Sequence, residues 1–210
     1  VVLAQLKLPG DATDVAYDPE LRLAVVAGGA GGLHIVDVSD PRAPRLVRTI
    51  DAPAAQVEVK DRLAYVGVGP TVRAYDVQQG LLLDQLYVGS DVTGMAREGT
   101  FLYLVQQNNR FTTVDIGAAS LQRRGMIGLA GQATYTGPLF VGGGTAYVVN
   151  TQNGLASLGS NGGFATVDVS NPDIPRLISS PDHPPGVQEP DGAVAANGSG
   201  LALLVGNPLV

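Results

Sequence analysis

Four aspartates recur in one context. Asp37, Asp76, Asp115 and Asp168 sit in the strings HIVDV, RAYDV, TTVDI and ATVDV, at intervals of 39, 39 and 53 residues. Carboxylates brought together at one place could hold a cation or act as an acid–base pair. Each of these, however, ends an apolar, β-branched run, where a side-chain oxygen can bond the backbone of the turn that follows. Turn capping is the expected role. Asp11, Asp14, Asp18 and Glu20 form a second acidic stretch. Calcium takes several such oxygens, but this spacing fits no EF-hand loop, and Asp14 and Asp18 fall within or at the end of a strand.

Other reactive side chains are few. His34 lies inside a repeated strand and reads as structural, whereas His183 stands in the loop-like SPDHPPG. The chain has no cysteine, which leaves no thiol nucleophile, disulfide or Cys-based metal site. No HExxH, GxSxG, P-loop or GxGxxG pattern is present. Accordingly, no catalytic residue, metal or cofactor is expected.

The elements that carry these residues are short strands. With 28 Gly and 14 Pro in 210 residues, turns are frequent, which favours strands over long helices. In the first unit the strands are read as 12–18, 21–27, 33–38 and 45–50. A turn at Pro19 and Glu20, glycines at 28–32 and the S-D-P-R-A-P turn separate them. A second marker, an apolar anchor, recurs at 23–26, 63–66, 102–105, 145–148 and 201–205. Four strands in about 40 residues is the spacing of one β-propeller blade. The second strand of each unit is almost wholly apolar, as a strand buried on both faces should be. The fourth mixes polar and apolar positions, as an outer edge does.

The repetition is close enough to name. GGLHIVDVSDPRAPRLV (31–47) returns as GGFATVDVSNPDIPRLI (162–178). Both resemble the LVIVD-repeat group of bacterial β-propeller proteins. Units two and three match less well, because QQGLLL and GAASLQ replace the Pro-rich turn. The resemblance implies a propeller, often exported or surface-exposed, and no common enzymatic activity. The expected fold is an all-β propeller of four-stranded antiparallel blades in one domain, 1–210. The blades fall at about 12–50, 55–88, 92–127 and 137–180, with part of a fifth at 191–210. Residues 1–8 read as the outer strand of a missing or closing blade. The count favours a fragment of a larger propeller over a closed five-bladed ring.

Because the units share one plan, insertions can be located. Thr151 to Gly163 enlarges the second-to-third connection of unit four. Gly128 to Pro138 and Pro181 to Pro190 enlarge two fourth-to-first connections. These two connection types emerge on one face of a propeller, and binding residues tend to sit on loops held by a rigid scaffold. Tyr135, Gln152, Asn153, Asn161, His183, Glu189 and Asp191 are therefore the candidate binding residues.

Charge narrows the partner. A net charge of −6 and a pI near 4.7 oppose binding to phosphates, so no nucleic acid is expected. No apolar run is long enough for a membrane span. The expected function is a non-enzymatic protein-interaction or scaffold module of a larger exported or cell-surface protein, placed outside the cell, on its surface or in the periplasm. Its partner would be a protein or a glycan. The alternatives are a hydrolase or lactonase with a central-channel site, and a glycan-binding propeller. For the enzyme, Asp91, Tyr135, Glu189 and Asp191 are the only obvious polar residues near the channel-side loops.

Overall fold

A computed structural model of the chain describes residues 1–117, 120–129, 139–150, 163–179, 193–196 and 202–205. Each of the four repeats forms a four-stranded antiparallel sheet in simple up-and-down order. The first sheet comprises β1 (Asp14–Asp18), β2 (Leu23–Ala27), β3 (Leu33–Asp37) and β4 (Arg45–Ile50), and the second comprises β5 (Gln56–Lys60), β6 (Leu63–Val68), β7 (Thr71–Asp76) and β8 (Leu82–Tyr87). The third holds β9 (Val92–Glu98), β10 (Phe101–Gln106), β11 (Arg110–Asp115) and β12 (Gln122–Gly128). The fourth holds β13 (Leu139–Gly142), β14 (Thr145–Asn150), β15 (Gly163–Asp168) and β16 (Arg176–Ser179). A two-stranded sheet, β17 (Ala193–Ala196) with β18 (Ala202–Val205), follows. There is no helix among the described residues.

By contact density the chain divides into two units, Val1–Asp91 and Val92–Val210. In the first, sheets one and two stack face to face. Val25, Ala27, Leu33 and Ile35 bury against Val57, Val59, Ala64 and Val66. In the second unit, Tyr103, Val105 and Phe111 of sheet three bury against Val141, Ala146, Val148 and Val167 of sheet four. Alternation along each strand supplies one set of side chains to each neighbour. That is why the middle strands read as continuous apolar runs. The outer strands β4, β8 and β16 are mostly exposed, as their mixed composition requires.

Two readings of the chain need correction. The first strand starts at Asp14 and the second at Leu23, because the turn between them takes four residues and ends on Arg22 in the left-handed region, φ 54°. The apolar anchor of unit three is displaced by one residue. Leu23, Leu63, Phe101 and Thr145 lie opposite Asp37, Asp76, Asp115 and Asp168, so the third anchor is 101–104 rather than 102–105. An unbroken apolar run carries no register of its own; the ladder supplies it. Residues 1–8, expected as an outer strand, join no sheet among the described residues and are mostly exposed.

Candidate functional site

The two ends of each sheet differ. At one end lie the first-to-second and third-to-fourth turns, and the recurring aspartates serve them. Asp37 Oδ1 accepts the Ser39 N–H at 2.9 Å, and Asp76 Oδ1 accepts those of Gln78 and Gln79 at 2.8 and 2.7 Å. Asp115 Oδ1 accepts the Gly117 N–H at 2.8 Å, and Asp168 Oδ1 that of Ser170 at 3.0 Å. The residue after each aspartate then donates its N–H across the end of the sheet. Val38, Val77, Ile116 and Val169 reach the carbonyls of Arg22, Arg62, Thr100 and Gly144 at 2.8–3.1 Å. The expected capping role is thus met in all four units. Donors around the carboxylates lower the pKa of two of them. For Asp37 the chief cause is the Ser39 N–H; for Asp168 it is the Ser170 hydroxyl, followed by its N–H.

Two more acidic residues have structural work. Asp18 Oδ1 accepts the N–H groups of Glu20 and Leu21 at 2.9 and 3.0 Å. Asp14 Oδ2 accepts the Val57 N–H at 2.8 Å, tying sheet two to sheet one. Fully buried His34 is structural as well. Its Nε2 lies 2.9 Å from the Pro9 carbonyl, which can only accept, so Nε2 carries the proton. Nδ1 meets the Thr49 hydroxyl at 3.0 Å. A Cβ on Gly28 would come within 2.5 Å of His34 Nε2, and one on Gly31 within 2.5 Å of the Pro9 carbonyl oxygen. Only glycines let these segments lie so close.

Sequence reasoning missed one feature of the capped end. In the second unit, the Arg124 guanidinium grips both carboxylate oxygens of Asp173, at 2.7 and 2.9 Å, and Asp115 Oδ2 at 2.8 Å. The Pro-rich turn of sheet four packs on Gly125 so tightly that a Cβ there would fall 2.4 Å from Pro175 Cδ. Hydrogen bonding from Arg124 lowers the Asp173 pKa, and Asp173 raises that of Arg124. The available signal was the N-P-x-x-P string, which marks a turn rigid enough to dock.

The opposite end of sheet four is built differently. β13 begins there, β14 ends, β15 begins and β16 ends, since all their pairings are antiparallel. The connections attached there are 129–138, 151–162 and 180–192, whereas 69–70 and 107–109 suffice at the second-to-third step in sheets two and three. Three enlarged connections therefore root on one end of a single sheet. Asp168 lies at the far end of β15, about 17 Å away at the usual rise per residue.

Tyr135, Gln152, Asn153, Asn161, His183, Glu189 and Asp191 all belong to these three connections and lie outside the described residues. Asp91 is exposed, with Oδ1 beside the Gly69 turn.

The repeat itself identifies the architecture. The sequence matches the LVIVD repeat over residues 9–52, 90–121 and 159–182. Three stretches of the chain match that repeat, and the chain folds as a β-propeller. Solved propellers agree in fold. Hydrazine synthase of Kuenenia stuttgartiensis superposes with a TM-score of 0.61 at 18% identity, over 83% of this chain and 51% of its own. The Dos1 propeller gives 0.60 at 13% identity, over 90% and 52%. The computationally designed Ika4 protein gives 0.56 at 15% identity, over 78% and 96%. The chain thus spans about half the length of the first two. No protein of curated function matches its sequence. Propellers commonly mediate protein interactions, and the repeat itself points to a generic module of that kind. No helix among the described residues is long and apolar enough to cross a membrane.

Proposed function

We propose that this LVIVD propeller is a non-enzymatic interaction or scaffold module of a larger exported or cell-surface protein, binding a protein partner through the loops at one face. The observation supporting this reading is the rooting of three enlarged connections on one end of the sheet β13–β16. The recurring carboxylates are engaged as backbone caps at the other end. A rigid, capped scaffold that carries long loops at one end is the arrangement that binding surfaces favour. Ser, Gly, Asn and Gln dominate 151–162, and such residues suit adaptable hydrogen bonding to a polar surface. Placement outside the cytoplasm rests on the absence of cysteine together with the surface-exposed habit of similar repeat proteins.

The test replaces 151–162 with the Gly–Pro pair that joins β6 to β7. Capture of envelope proteins by the intact and shortened chains is then compared, alongside a glycan array read with Tyr135→Ala. Loss of one specific captured protein, with the melting temperature kept, is the expected result. Unchanged capture overturns the loop assignment. Selective glycan binding abolished by Tyr135→Ala overturns the choice of a protein partner.

A further inference from the structure

The crevice between sheets one and two and that between sheets three and four share one plan but are filled differently. Residues directly opposite one another in a ladder share a face. Arg48 lies opposite Ile35, and Ile35 opposite Val25; since Ile35 and Val25 bury against sheet two, Arg48 faces sheet two as well. Its side chain lies on the β7–β8 turn, where a Cβ on Gly80 would fall 3.0 Å from Arg48 Cδ and 3.3 Å from Nη1. Arg73 lies opposite Val66, within the core shared with sheet one, so it faces sheet one. The second unit is apolar at the same positions. Arg48 stands three residues after Arg45, the partner of Asp37, as Gly125 stands three after Gln122, the partner of Asp115. Arg73 precedes Asp76 by three residues as Ala165 precedes Asp168. Stacking of two blades therefore needs neither arginine.

Their charges are also unmatched. Arg73 is half-buried, and its Nε is buried without a hydrogen-bond partner. Neither Arg73 nor the exposed Arg48 makes a hydrogen bond or ion pair with any described residue. At the position of Arg73 in sheets one and three, the polar groups are satisfied: His34 meets Pro9 and Thr49, and Thr112 Oγ1 donates to Gln106 Oε1 at 2.7 Å. One carboxylate, Asp37, shares the face of Arg48, but it accepts the Ser39 N–H and stands opposite Arg45. In the second unit an acid closes the gap between blades, since Asp173 of the 169–175 turn binds Arg124. The shorter 77–81 turn of sheet two, VQQGL, holds no acid. A guanidinium kept partly buried with no partner costs stability, and an orphaned group of that kind marks a place where a ligand completes the set.

We propose that Arg48 and Arg73 form a binding site for a carboxylate ligand in the crevice between sheets one and two. The planar guanidinium fork matches a carboxylate with two parallel hydrogen bonds, and Arg124 grips Asp173 in that way in the second unit. Gln85, opposite Arg73 and exposed, brings an amide donor to the same row. With a net charge of −6 the chain repels anions in general, so this pair of cations selects where one settles. The site lies wholly within the first unit and stands independently of the loops rooted on sheet four.

Isothermal titration calorimetry on the 210-residue chain at pH 7 tests this, at an ionic strength of about 0.15 M to screen long-range attraction. The probes are succinate and a hexaglutamate peptide, with inorganic phosphate as the competing oxyanion. A carboxylate probe should saturate one site below about 10 mM, and phosphate should bind more weakly. Tighter succinate binding identifies a small acid as the ligand, and tighter peptide binding an acidic side chain of a partner. Arg73→Met and Arg48→Met should each weaken binding at least about tenfold with the melting temperature kept, because methionine retains the apolar stem. Arg110→Gln removes the same charge from the second unit and should leave binding unchanged. No binding up to about 10 mM overturns the proposal, as does a preference for phosphate or an equal loss in Arg110→Gln. Should Arg73→Met disturb folding, Arg48→Met, at an exposed position, decides alone.

Discussion

Replacing Asp76 with alanine, and separately with asparagine, separates capping from chemistry. Asp76 Oδ1 accepts two backbone N–H groups, from Gln78 at 2.8 Å and Gln79 at 2.7 Å. Alanine strands both donors at the start of the β7–β8 turn, where water can partly replace the lost acceptor. A net hydrogen bond is worth about 0.5–1.5 kcal/mol, somewhat more when one partner is charged. Two of them sharing one half-buried oxygen give a loss of about 1–2 kcal/mol, near that of a helix cap of the same kind. For a chain of this size that lowers the melting temperature by about 2–8 °C. Asparagine keeps an oxygen in the same place, so it should cost less than half as much. Differential scanning calorimetry on the three proteins reads both numbers. Equal losses for alanine and asparagine would refute capping, because charge rather than acceptor geometry would then be what matters.

Further outcomes follow from the same geometry. Gly28→Ala drives a Cβ into the fully buried His34 and breaks its bonds to Pro9 and Thr49, at a cost of about 2–4 kcal/mol from stranded buried polar groups. In a His34→Ala background the same change should cost much less, a coupling that chemical denaturation of the four proteins measures. Arg62 sits at φ 70° in the β5–β6 turn, a region costly for a side chain with a Cβ, so Arg62→Gly should stabilise by up to about 1 kcal/mol by the same assay. Because Arg124 lowers the Asp173 pKa, their pairing stabilises the fold above the ordinary carboxylate pKa of about 3.9 and is lost as pH falls through the depressed folded value. Arg124→Ala should therefore lower the melting temperature near neutral pH, with the gap from the parent closing in strong acid.

The parts legible in the sequence are those set by local chemistry. Strand, turn, strand and aspartate cap recur in every unit, because each depends on residues two to six positions apart, and the repeated string shows all of them at once. The register of unit three was not legible: Phe101 to Val105 is apolar throughout, and only pairing with Asp115 selects Phe101 as the partner. Contacts between blades were equally hidden. Nothing near Gly125 in sequence announces Pro175, and nothing near Asp14 announces Val57, since both contacts join units about 40 to 50 residues apart. For the candidate site, spacing alone located the three enlarged connections. Their common root on sheet four emerged from the antiparallel pairing of β13 through β16.

Partner capture by two variants side by side weighs the central claim. One has 151–162 cut to a Gly–Pro turn; the other carries Asp37→Asn, Asp76→Asn, Asp115→Asn and Asp168→Asn together. Capture should vanish in the shortened chain and persist in the four-fold variant, whose asparagines still accept the turn N–H groups. The reverse pattern, with binding kept after shortening and lost with the carboxylates, would contradict the account.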